Sequence, residues 1–84
     1  MPQRDFFNFA TVEDAKSIKS ALERQRLTQK WLLYRLDVDY GVQISASELS
    51  ELFDGKRPIG KKTSLVIRCA EQIIKEYEDF YRKG

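Results

Sequence analysis

Along most of this chain apolar residues return every three or four positions, the rhythm of helices that bury one side. Ala15, Ile18 and Leu22 make such a stripe over about 12–26. Thr11 stands at its N-cap, and Glu13 and Asp14 occupy the opening turn, where the helix dipole favours acids. A second helix is predicted over 29–36 in "LTQKWLLYRL", capped by Thr28 and turning Leu32, Leu33 and Leu36 inward. The stretch "DVDYGVQI" that follows reads as a connection, because it is rich in turn formers and Gly41 can take a positive φ. In a third helix, over 46–54, Ser45 and Glu48 have capping-box spacing, in which two orphan backbone donors are satisfied reciprocally. Leu49, Leu52 and Phe53 share one side of it, and Gly55 stands where a helix ends. Beyond Pro58 and Gly60, a last helix over 62–81 carries Val66, Cys69, Ala70, Ile73, Ile74, Tyr77 and Phe80 at helical spacing.

The prediction is an all-α fold, a compact bundle of four to five helices. Residues 1–10 read as an aromatic arm, with Phe6, Phe7 and Phe9 folded over the core or offered to a partner, and 11–84 as one domain. Four glycines and two prolines supply few turns for a hairpin-rich β protein. No apolar run approaches the roughly 18 residues of a membrane span, and "MPQRDFFNFA" lacks the basic start and apolar stretch of a signal peptide. The single cysteine, Cys69, cannot form an internal disulfide, which fits a reducing cytoplasm, and its place on the stripe makes it a small buried side chain.

Catalysis is poorly provided for. The chain has no histidine, so the usual general base and the commonest metal ligand are both missing. One cysteine cannot build a zinc site, and "DGKRPIGKK" has the glycines and lysines of a phosphate loop without a strand before it. No enzyme, metal or cofactor is expected. The net charge of +2 does not by itself indicate nucleic acid, but its distribution is uneven. Residues 55–68 hold Lys56, Arg57, Lys61, Lys62 and Arg68 with no acid, whereas 41–54 hold Glu48, Glu51 and Asp54 with no base. Such a basic run is either a small phosphate-binding footprint or a solvated loop.

Taken together, "LTQKWLLYRL" and "ISASELSELFDGKR" resemble the Cro/CI-type helix-turn-helix regulators, also called the XRE family. The matching positions are Leu27, Thr28, Gln29, Leu32, Leu36, Ile44, Ser45, Leu49, Leu52, Gly55, Lys56 and Arg57. With flanking helices the likeness spans about 14–75. It implies a lambda repressor-like bundle, double-stranded DNA as partner, and a sequence-specific transcriptional regulator, a repressor from a phage or mobile element, working in the cytoplasm of a bacterial or phage-infected cell. Two departures stand out. The connection after Leu36 is longer than the family's usual turn, and Leu33 stands where the family commonly has a small residue. A larger Leu33 would spread the two helices, and a longer connection would accommodate that.

On this reading the third helix enters the major groove. Helical spacing turns Ser47, Ser50, Glu51 and Asp54 outward, with Ala46 and Glu48 on the flanks. Ala46, Ser47, Ser50 and Glu51 would face bases, Glu51 accepting from cytosine N4, and Gln43, with Tyr40, would extend the contact. Asp54 fits only if Lys56 or Arg57 screens it. By the resemblance Gln29 touches phosphate, with Lys30 beside it, while Lys56, Arg57, Lys61 and Lys62 hold the far strand. Dimers suit palindromic DNA, and Tyr77, Phe80 and Tyr81 of the last helix are candidates for a homodimer contact, unless they only cap the monomer's core. The rival reading is a protein-binding module, an antirepressor or adaptor, suggested by the low net charge and acidic third helix. An architectural or recombination accessory protein is a third.

Overall fold

A computed structural model describes residues 10–83, and in them four helices and no strand: α1 (Val12–Arg24), α2 (Gln29–Tyr40), α3 (Ala46–Phe53) and α4 (Lys61–Lys83). Phe6, Phe7 and Phe9 of the expected arm lie outside the described residues. Ala10 belongs to the core rather than to an arm. It is buried, and its N–H donates to the buried Ser64 Oγ at 3.1 Å, tying the entry to α1 against α4.

The helix starts follow the sequence closely. Thr11 and Asp14 form a full capping box on α1, and Ser45 and Glu48 form another on α3. Thr28 Oγ1 accepts from Trp31 N–H at 3.0 Å to open α2. On α4 the role passes to Thr63, whose hydroxyl takes the Gly60 N–H at 2.7 Å.

The helix ends depart from expectation. α1 stops at Arg24, not at 26, because Arg26 turns left-handed with φ 60° and exchanges helical bonds for the paired bonds Arg26 N–H to Glu23 O and Leu27 N–H to Leu22 O. Glycine normally fills such a position, since a Cβ there costs about 1–2 kcal/mol. Arg26 is exposed and has no side chain to lose from the core. Arg26→Gly should therefore raise stability by about 0.5–1 kcal/mol after glycine's larger unfolded-state entropy is subtracted. Thermal unfolding should move up by about 2–8 °C; no change or a fall would remove the strain from this turn.

α2 runs a full turn further than predicted, through Asp37, Val38 and Asp39 to Tyr40, so the connection to α3 is only 41–45 and the extra residues after Leu36 go largely into the helix. The two aspartates looked like turn formers, but no glycine or proline stands among these four, and Arg35 bonds Asp39 one turn on at 2.7 Å. Gly41 then ends the helix at φ 65°. Leu33 is half-buried against the core, so the inward face of α2 is Leu32 and Leu36.

The four helices close a ring of contacts. α4 packs against α1 and α2, and α3 packs against the same two from the other side. The core they enclose contains Ala15, Ile18, Leu22, Leu32, Leu36, Leu49, Leu52, Phe53, Val66, Ile67, Ala70 and Ile73. Cys69 is half-buried rather than buried, and burial pushes its thiol up, away from reactivity. The α2–α4 seam is aromatic: the Trp31 and Tyr77 rings meet edge to face at 5.5 Å, with the Arg35 guanidinium 5.5 Å from the Trp31 ring centre. Further along α4, Phe80 and Tyr81 are exposed, as are Tyr34 and Val38 on α2.

Candidate nucleic-acid interface

α3 is short, and its buried and open sides divide cleanly. Leu49, Leu52 and Phe53 are each at most 1% exposed. Ala46, Ser47, Glu51 and Asp54 are exposed, while Ser50 and Glu48 are half-buried. A small-residue flank is thus open to solvent at the start of the helix. At its end Gly55 takes φ 75°, with Gly55 N–H bonded to Leu52 O and Lys56 N–H to Glu51 O. A Cβ at Gly55 would be strained by that φ and would meet Val12 Cγ1 at 3.3 Å, so that side chain would have to give by a few tenths of an ångström.

The charges around α3 are arranged differently from the expectation. Arg57 folds back along the helix, placing Nη2 2.7 Å from Glu51 Oε1 and Nη1 3.9 Å from Glu48 Oε2. The residue expected to read a base and the residue expected to grip phosphate are partners of each other. Arg57 Nε is buried without a hydrogen-bond partner among the described residues. Asp54 is screened chiefly by Lys19 of α1, at 3.0 Å, with Lys56 a weaker influence, and Arg57 is committed elsewhere. Lys19 was not anticipated. It lies thirty-five residues away in sequence, beside the α1 stripe, with nothing local to mark it. Arg68 is likewise occupied, by Glu71 at 2.9 Å and Asp14 at 3.5 Å. Of the five cations in 55–68, Lys56, Lys61 and Lys62 have no ion pair among the described residues.

Lys56 follows the end of α3 directly, and Lys61 and Lys62 open α4. Arg57, Lys61 and Lys62 line one shallow depression with Pro58, Ile59, Gly60 and Thr63, and Lys62 is near enough to help lower the carboxyl pKa of Glu48. Lys61 and Lys62 also occupy the first turn of α4, which holds no acid. Cations there oppose the positive end of the helix dipole, whereas an anion would complement it. The α2 start also lacks acids, and there Gln29 is half-buried and Lys30 exposed. Among the described residues no hydrogen bond or ion pair joins Gln29 or Lys30 to the α3 group. Gln43 reaches back to Asp37 Oδ1 at 3.4 Å, and Tyr40 is exposed with its phenol pushed up mainly by desolvation.

Three shifted groups give a pH signature. The Ser45 backbone N–H holds the Glu48 carboxyl below its usual range, the Lys19 hydrogen bond does the same for Asp54, and Lys19 is raised by that bond. Depressed carboxylates add stability that is present above their unfolded pKa and is lost as pH falls through the folded value. The raised lysine adds stability present below its unfolded pKa and lost as pH rises through the folded one. Stability should hold between about pH 5 and 10 and decline outside. Asp54→Asn should lower the melting temperature at pH 7 and flatten the decline between pH 5 and 3; parallel curves would count against the pair.

No helix among the described residues is long and apolar enough to cross a membrane, and no group of acids and cysteine there is placed to hold a metal ion. Comparison of the chain with protein-family models, curated proteins and solved structures finds no match.

Proposed function

We propose that this chain is a sequence-specific double-stranded DNA-binding regulator of the Cro/CI (XRE) type, acting as a repressor from a phage or mobile element. In this reading α2 and α3 are the helix-turn-helix, and α3 lies in the major groove. The observation that carries it is the open, small-sided start of α3 together with Lys56, Lys61 and Lys62, which form no ion pair among the described residues, two of them on the acid-free first turn of α4. Ala46, Ser47 and Ser50 let the helix approach the groove floor, and Lys56, Lys61 and Lys62 meet phosphates. The acids of α3 are no obstacle, because Arg57 and Lys19 already offset Glu51 and Asp54. Gln29 and Lys30 hold phosphate at the start of α2, by the resemblance. It is a binding role, without catalysis.

Operators of this type call for two copies. Phe80 and Tyr81, 70% and 61% exposed, are the available surface for a homodimer contact, whereas Tyr77 is half-buried against Trp31. The second reading, an adaptor or antirepressor that binds protein, is favoured by the same exposed aromatics. Electrophoretic shift on genomic fragments at two salt concentrations separates the two. Binding that weakens steeply with salt supports the DNA role; none at either concentration removes it.

A further inference from the structure

Among the described residues Arg57 is the one cation that forms an ion pair with the acids of α3. Its guanidinium lies between Glu48 and Glu51, one helical turn apart on the solvent side of the helix, rather than extending past Gly55 with Lys56. Only one hydrogen bond, to Glu51, is made by the Nη groups among the described residues; the Glu48 contact at 3.9 Å is beyond hydrogen-bonding distance. Donors therefore remain on a planar fork that Glu51 hydrogen-bonds and Glu48 attracts through space. Nε is buried without a hydrogen-bond partner among the described residues, so the outward-facing donors are those of the Nη groups. A guanidinium held beside α3 with free Nη donors is suited to the pair of acceptors on a guanine edge, O6 and N7.

We infer that Arg57 is a specificity-determining residue that reads guanine in the major groove, and that Glu51 is a positioning residue that aims it rather than a base contact. This rests on the DNA-binding reading above. Phosphate oxygens offer a similar pair of acceptors, but they lie along the rails of the groove, where Lys56, Lys61 and Lys62 serve, and not beside the middle of α3.

The test is selection from randomised duplexes with the full chain and with Arg57→Lys and Glu51→Gln, each first checked for an unchanged melting transition. The wild-type motif should contain one guanine whose preference falls by about 5- to 150-fold in Arg57→Lys, because lysine keeps the charge and loses the fork. Other positions should stay as they were. Glu51→Gln should keep the same guanine with weaker discrimination, since glutamine still accepts from the arginine. An unchanged motif with uniformly weaker binding in Arg57→Lys would make the arginine a phosphate contact and overturn the assignment. So would a Glu51→Gln motif that changes from cytosine to another base while Arg57→Lys leaves the motif intact. A wild-type chain that selects no motif and binds no duplex would overturn the DNA reading, and this inference with it.

Discussion

Phe53→Ala should remove about 3–5 kcal/mol, the usual cost of emptying a fully buried aromatic site. Phe53 is 1% exposed and is the largest fully buried side chain among the described residues. It comes from a helix of only eight residues, whose hold on α1 and α2 depends on three side chains, Leu49, Leu52 and Phe53. Domains have about 5–15 kcal/mol to lose, and small ones lie near the lower end. The variant should therefore melt far below the wild type or show no cooperative transition in far-ultraviolet circular dichroism. Phe53→Leu, which refills most of the space, should cost much less. A Phe53→Ala protein melting within a few degrees of wild type would mean that α3 is not seated as described.

Replacing Lys56, Lys61 and Lys62 together by alanine should have the largest effect on DNA binding. If each lysine displaces one counterion, the slope of log affinity against log salt should fall by roughly 2.7, and affinity between 50 and 150 mM salt by on the order of 10²–10³. Stability should change in the opposite direction. Lys61 and Lys62 occupy the first turn of α4, where cations oppose the helix dipole, so their removal should stabilise the helix by a few tenths of a kcal/mol or more. A triple variant that melts slightly higher and binds duplex far more weakly is the expected result. Unchanged affinity at every salt concentration would dissolve the proposed footprint.

The helices could be read in the sequence where their signals were local. Ser45 and Glu48 announce the α3 start three residues apart, and Gly55 announces its end. The α2 end was misread because Asp37 and Asp39 carry turn propensity, whereas the Arg35 pair and the unbroken run to Gly41 favour another helical turn. Arg26 ended α1 without a glycine to mark it. Ile67 is wholly buried although the α4 stripe was drawn without it, since the ring of contacts covers a wider arc than one line of spacing suggests. The charges of the candidate site were the least legible. Arg57 and Glu51 are six residues apart, and Lys19 and Asp54 thirty-five, so their pairing depends on turns and tertiary packing that the spacing of charges does not encode.

Trp31 is the only tryptophan in the chain, and its ring meets Tyr77 and Arg35 at the α2–α4 seam. Intrinsic emission excited at the indole band therefore views the α2–α4 joint, one residue from Lys30, and not α3 itself. During a titration with duplex, a shift in colour or intensity would report the start of α2 where Gln29 and Lys30 are expected on phosphate. Steady emission would leave the contact to α3 and the lysines around it.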